Sequence, residues 1–139
     1  MVADKKLPRW PAWVHDRKYA WKLGSIDPLC VVTETYFRRG ELLQVRLIDS
    51  VLCLFKVVDV RVIGRAGIFG WRPGFKGTYL RVEPVLALDR ELNYAEAKRY
   101  IIEFVTSHSD VYERDAGIKE VIAALQAATS AQALFTAAG

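Results

Sequence analysis

The hydrophobic pattern changes period once. From Tyr19 to about Leu88 apolar residues alternate with polar ones, and from Asn93 onward they recur at helical spacing, so strands are predicted first and helices last. In "YAWKL" Tyr19, Trp21 and Leu23 share one face, and a turn is expected from Gly24 to Pro28. "CVVTETYF" and "LLQVRLI" read as two strands of a hairpin joined through "RRGE", where Gly40 would supply a positive φ. "VLCLFKVVDVRVIG" is the most apolar run and reads as a central strand. Lys56 and Asp59 differ in parity, so a bulge near Val57 is expected. "TYLRVEPVLAL" resumes the sheet, with Pro84 marking an edge or a break.

Asn93 with Glu96 forms a capping-box pattern, and Tyr94, Ala97, Ile101, Phe104, Val105 and His108 follow on one helical face. Asp115 is a good N-cap for a second helix with Ile118, Val121, Ile122 and Leu125 as its stripe. The expected fold is therefore α+β: an antiparallel sheet of about five strands over residues 19–88, with a helical hairpin (93–108 and 115–135) packed on one face. Residues 1–139 read as a single domain. Residues 1–18, rich in Pro, Trp and Lys and without sustained periodicity, read as a basic extended arm.

Composition agrees with a folded chain: 139 residues, 52% hydrophobic and 26% charged, match globular domains rather than disordered or fibrous ones. Two cysteines are too few for a disulfide framework, and Cys30 and Cys53 sit among apolar neighbours, which suggests a reducing, cytoplasmic setting. No apolar run approaches the roughly 20 residues of a membrane span.

Charge is polarised along the chain. Residues 61–81 hold Arg61, Arg65, Arg72, Lys76 and Arg81 and no carboxylate, whereas residues 82–139 carry five basic and nine acidic side chains. Five of the nine glycines, Gly64, Gly67, Gly70, Gly74 and Gly77, fall in the same basic stretch, interleaved with Phe69, Trp71 and Phe75. Glycine lets a backbone approach a ligand, arginine forks onto phosphate or carboxylate, and a flat ring stacks on a base. Segment 64–77 is thus the predicted binding element for an anionic partner, with nucleic acid preferred. Its candidate residues are Arg65, Phe69, Trp71, Arg72, Phe75 and Lys76, with Arg9 and Lys18 of the arm extending the footprint. An alternative is a protein-interaction module, an inhibitor or adaptor, using the same loop and its Trp and Arg side chains. The glycine spacing fits neither GxxxxGK[ST] nor GxGxxG.

Enzymatic chemistry finds little support, and no cofactor or metal is expected. The two histidines, His15 and His108, have no neighbours at metal-ligand spacing. His15 beside Asp16 reads as a solvated pair and His108 as a helix C-terminal cap. Glu34, Asp59 and Lys56 could form a nuclease-like cluster, but charges on the outer face of a sheet explain them as well. The two helices lack the short turn and the basic second helix of a DNA-reading pair. The alanine-rich tail, with Leu134 and Phe135, could mediate a homodimer through the C-terminal helix.

Overall fold

The computed structural model describes residues 7–65, 79–112 and 117–138. Its strands are β1 (Ala12–His15), β2 (Ala20–Leu23), β3 (Val31–Thr33), β4 (Arg46–Ile48), β5 (Cys53–Arg65) and β6 (Tyr79–Glu91). All pairings are antiparallel, and they form one curled six-stranded sheet in the order β2-β1-β4-β5-β6-β3. Helices α1 (Glu34–Arg38), α2 (Tyr94–Ser107), α3 (Ser109–Tyr112), α4 (Ile118–Ala127) and α5 (Ala131–Ala138) complete the α+β arrangement. The sixth strand is the difference from the expected sheet.

That extra strand corrects the reading of residues 1–18 as an arm. Ala12–His15 pairs with β2 on one side and β4 on the other, and all four residues are buried. Alternation was invisible because both faces are covered. Trp13 joins Ile48 and Leu54 under Ile101, Phe104, Leu125 and Phe135 of the helical layer. Ala12 and Val14 face the opposite, concave side with Val45, Leu47, Phe55, Val57 and Val82. His15 and Asp16 are buried as well, so they are not a solvated pair.

The expected hairpin of "CVVTETYF" with "LLQVRLI" does not form. β3 is three residues long and pairs with β6, while β4 pairs with β1 and β5. Between them Thr33 caps α1 by accepting from the Tyr36 N–H at 3.1 Å, and Arg38 pairs with Glu34 one turn earlier. Gly40 does take a positive φ, +70°, but it serves there to end α1, not to turn a hairpin. A 3-10 turn over Glu41–Gln44 then leads into β4.

β5 and β6 form a long ribbon whose register shifts between Val57 and Asp59, as the parity of Lys56 and Asp59 predicts, and again at Leu54/Phe55 and Val62/Gly64. Pro84 lies within β6. The Val82 N–H donates to the Cys30 carbonyl at 2.8 Å, so Pro84, two residues on, directs its nitrogen to the same side, where β3 has already ended.

α2 starts with the full capping box, Asn93 and Glu96 each bonding the other's backbone N–H. His108 is its C-cap, with Nδ1 2.8 Å from the Phe104 carbonyl. The long second helix expected over 115–135 is broken: α4 ends at Ala127, Ala128 is extended, and α5 starts at Ala131 with Ser130 Oγ accepting from the Ala133 N–H. Leu134 and Phe135, the apolar side chains of the tail, are fully buried in the helical layer rather than exposed. Among the described residues no helix is long and apolar enough to cross a membrane.

Candidate functional site

The sheet order leaves β2 and β3 as its two edges, and the curl brings them face to face. The β1–β2 turn, Asp16–Tyr19, is the point of closure. Asp16 is buried, and its Oδ1 accepts the N–H groups of Lys18 and Tyr19, both at 2.8 Å. Its Oδ2 accepts the Tyr36 hydroxyl of α1 at 2.9 Å. Arg17 pairs with Glu41 at 2.8 Å, a second tie between the same two parts of the sheet. Burial first, then the bond to Asp16 and that carboxylate's charge, push the Tyr36 hydroxyl far above its ordinary pKa, so it stays a donor.

The turn is also held from beneath. His15 Nδ1 lies 2.7 Å from the Asp16 carbonyl, which can only accept, so the neutral ring carries its hydrogen there. Its Nε2 therefore accepts the Tyr100 hydroxyl at 2.7 Å. Burial is the main cause of a lowered His15 pKa, and the nearby Arg46 and His108 act in the same direction against the Asp16 carbonyl bond and carboxylate. His108 stacks on Phe104, and its Nε2 reaches the Arg17 carbonyl at 2.5 Å. A packed ring cluster of Trp13, His15, Tyr100, Phe104 and His108 thus positions the turn.

Two continuous hollows lie over this closure. A polar cleft of about 650 Å³ runs from the β1–β2 turn to α1, with Lys18 and Arg39 on its rim. An apolar groove of about 340 Å³ continues between the sheet edges, lined by Trp21 and Leu23 of β2, Val31 and Val32 of β3, and Tyr79 of β6. Thr33 and Tyr36 line both, so the two adjoin as one trough, whose polar part holds Arg17, Lys18 and Arg39 with the engaged carboxylates Asp16 and Glu41 and whose apolar part holds the rings of Trp21 and Tyr79. Trp21 and Tyr19 remain 37% and 47% exposed, enough to offer ring surface to a ligand.

Register fixes where the predicted residues fall. β1 runs alongside β5 in the same sense, through Trp13–Ile48–Leu54 and His15–Arg46–Lys56, and β3 ends with Thr33 opposite Tyr79. The β1–β2 turn therefore lies level with β5 just past Lys56, about 30 Å of strand short of Arg65, which flanks Leu80 across from Val32 of β3. Lys18 lines the polar cleft while Arg65 lines neither hollow, and sequence reasoning missed Arg39, which it assigned to a hairpin turn. Arg9 lines neither hollow either. Its N–H donates to Asp49 Oδ2 at 3.0 Å and its carbonyl accepts from Ser50, beside the start of β5. Roughly 40 Å of strand separates that point from Arg65. Phe69, Trp71, Arg72, Phe75 and Lys76 lie outside the described residues.

The remaining candidates stay apart. Glu34 is engaged with Arg38, while Asp59 on β5 accepts its neighbour Val60's N–H at 2.8 Å. Among the described residues no group of three or more His, Cys, Asp and Glu side chains could hold a metal ion. Cys30 and Cys53 are free thiols, and burial followed by the charges of Asp27 and Glu83 raises the Cys30 pKa, the opposite of an activated nucleophile. No family model, no curated protein and no solved structure matches the chain.

Proposed function

We propose that this chain is a non-enzymatic binding protein for an anionic partner, nucleic acid, engaged by segment 64–77 and by the cleft that Lys18 and Arg39 line. The supporting observation is that Lys18 and Arg39 line one cleft, with no ion pair of their own among the described residues, whereas the neighbouring Arg17 and Arg38 are paired with Glu41 and Glu34. The cleft's two carboxylates, Asp16 and Glu41, are engaged by Tyr36 and Arg17, so its three cations leave an excess of positive charge that attracts a polyanion. Arg72 and Lys76 add two further cations to the segment between β5 and β6, and Trp71 and Phe75 two stacking rings. Free thiols accord with a cytoplasmic setting for this activity.

Fluorescence anisotropy with labelled DNA and RNA at about 50 and 200 mM salt tests the reading. Affinity should fall log-linearly with salt, and Arg65→Ala, Arg72→Ala and Lys76→Ala should each weaken binding and lower the salt slope by about one. A folded protein that binds no nucleic acid at low salt overturns it. One observation favours a second reading, a protein-interaction module: Val58, Val62 and Ile63 on β5 are 47%, 48% and 62% exposed along the ribbon. Protein contacts through that surface would respond weakly to salt.

A further inference from the structure

The trough between the sheet edges carries more than charge. We infer that it is a base-binding cleft that makes the ligand single-stranded nucleic acid: an unpaired base lies against Trp21 and Tyr79, and its phosphate lies at Lys18 and Arg39. This inference rests on the anion-binding reading above and uses none of the residues of segment 66–78.

Three observations converge on it. Lys18 and Arg39 and the rings of Trp21 and Tyr79 line adjoining parts of the trough, joined at Thr33 and Tyr36, and the carboxylates of the polar part, Asp16 and Glu41, are already engaged by Tyr36 and Arg17. A nucleotide has the matching division into an anionic phosphate and a flat, largely apolar ring. β2 and β3 are both sheet edges, so each has backbone N–H and C=O groups with no strand partner on the side facing away from its neighbour. Such groups can meet the hydrogen-bonding edge of a base that has no complementary strand. Finally, the Tyr36 side chain, which lines both parts, crosses the opening from α1 to Asp16 of the β1–β2 turn. A duplex keeps its ring faces stacked inside and presents only its backbone and groove edges to such an opening; a single strand can splay one base into it.

The alternatives for this hollow are weaker. A peptide strand laid between β2 and β3 would fill the apolar groove but would leave Lys18 and Arg39 unanswered. A metal has no ligand cluster among the described residues.

The test compares an oligonucleotide of about 12 nucleotides, labelled at one end, with the same sequence annealed to its complement, both titrated into the full chain by anisotropy at one salt concentration. The single strand should bind at least about tenfold more tightly than the duplex. Trp21→Ala and Tyr79→Ala should each weaken single-strand binding about tenfold and leave duplex binding unchanged. Trp21→Phe, which keeps a ring on the same edge strand, should restore most of the loss, and thermal melting of each variant confirms that it is folded. Lys18→Ala and Arg39→Ala should weaken both forms and lower the salt slope. Equal affinity for single strand and duplex, or a folded Trp21→Ala protein with unchanged single-strand affinity, overturns the cleft while leaving anion binding in place. Failure to bind either form overturns both.

Discussion

His15 and Asp16, adjacent in sequence, do different work. Asp16 accepts three hydrogen bonds and fixes the turn that displays Lys18, whereas His15 ties the same turn to α2 through Tyr100. The lowered His15 pKa has a consequence for stability. As pH falls below the ordinary histidine value of about 6.5, the unfolded chain takes up its proton before the folded one does, so stability is lost on acidification and is fully present above that value. Urea unfolding between about pH 7.5 and 5 should show this fall, and His15→Gln should flatten it. Removing the Tyr36 hydroxyl, Tyr36→Phe, should cost about 1–2 kcal/mol because it takes a donor from a buried carboxylate, read in the same unfolding experiment. Asp49 is the second buried carboxylate. It is satisfied by backbone alone, accepting from Arg9, Val51 and Cys53, and Asp49→Ala should cost about 3 kcal/mol by stranding those donors.

Elements whose ends carry their own chemistry follow the sequence closely. α2 begins at a complete capping box, and Asn93→Ala should lower stability by about 1 kcal/mol in thermal melts. α1 is the instructive case. "TETYFRRG" contains an N-cap threonine, an acid in the first turn, a Glu34–Arg38 pair one turn apart and a C-terminal glycine, all marks of a short helix. The β-rich composition around it outweighed those marks in a reading by propensity, and the hairpin expected there hid Tyr36 and Arg39 from the candidate site. Pro84 was legible because its meaning is local: with no N–H it belongs at a position facing an edge, and the edge of β6 is open from there on. Pro84→Thr should restore a donor to that edge and raise the tendency to self-associate, measured by light scattering during storage.

The whole molecule is a curled sheet between two cores, and the two are not equally self-sufficient. The concave core is built from the strands themselves with Leu29 and Leu42 from short turns, whereas the core on the other face requires α2, α4 and α5 together. Deleting residues 129–139 removes Leu134 and Phe135 from contact with Trp13's cluster and should abolish a cooperative thermal transition. The same layer supports the candidate site from behind, because α2 holds the β1–β2 turn through Tyr100 and His108.

Sequence alone determined the properties that depend on near neighbours: the change of period at Asn93, the bulge near Val57, the capping box, the helix-ending His108 and the concentration of positive charge at 61–81. Tertiary structure decided what depends on pairing between distant segments. Ala12–His15 became a strand only because β2 and β4 cover its two sides, and with both faces buried no alternation could announce it. Register, not composition, set Arg9 beside the start of β5 and Arg65 at its far end, with Lys18 level with neither. The trough itself exists because the edges β2 and β3, which begin about ten residues apart in the chain, meet only when four other strands have curled between them.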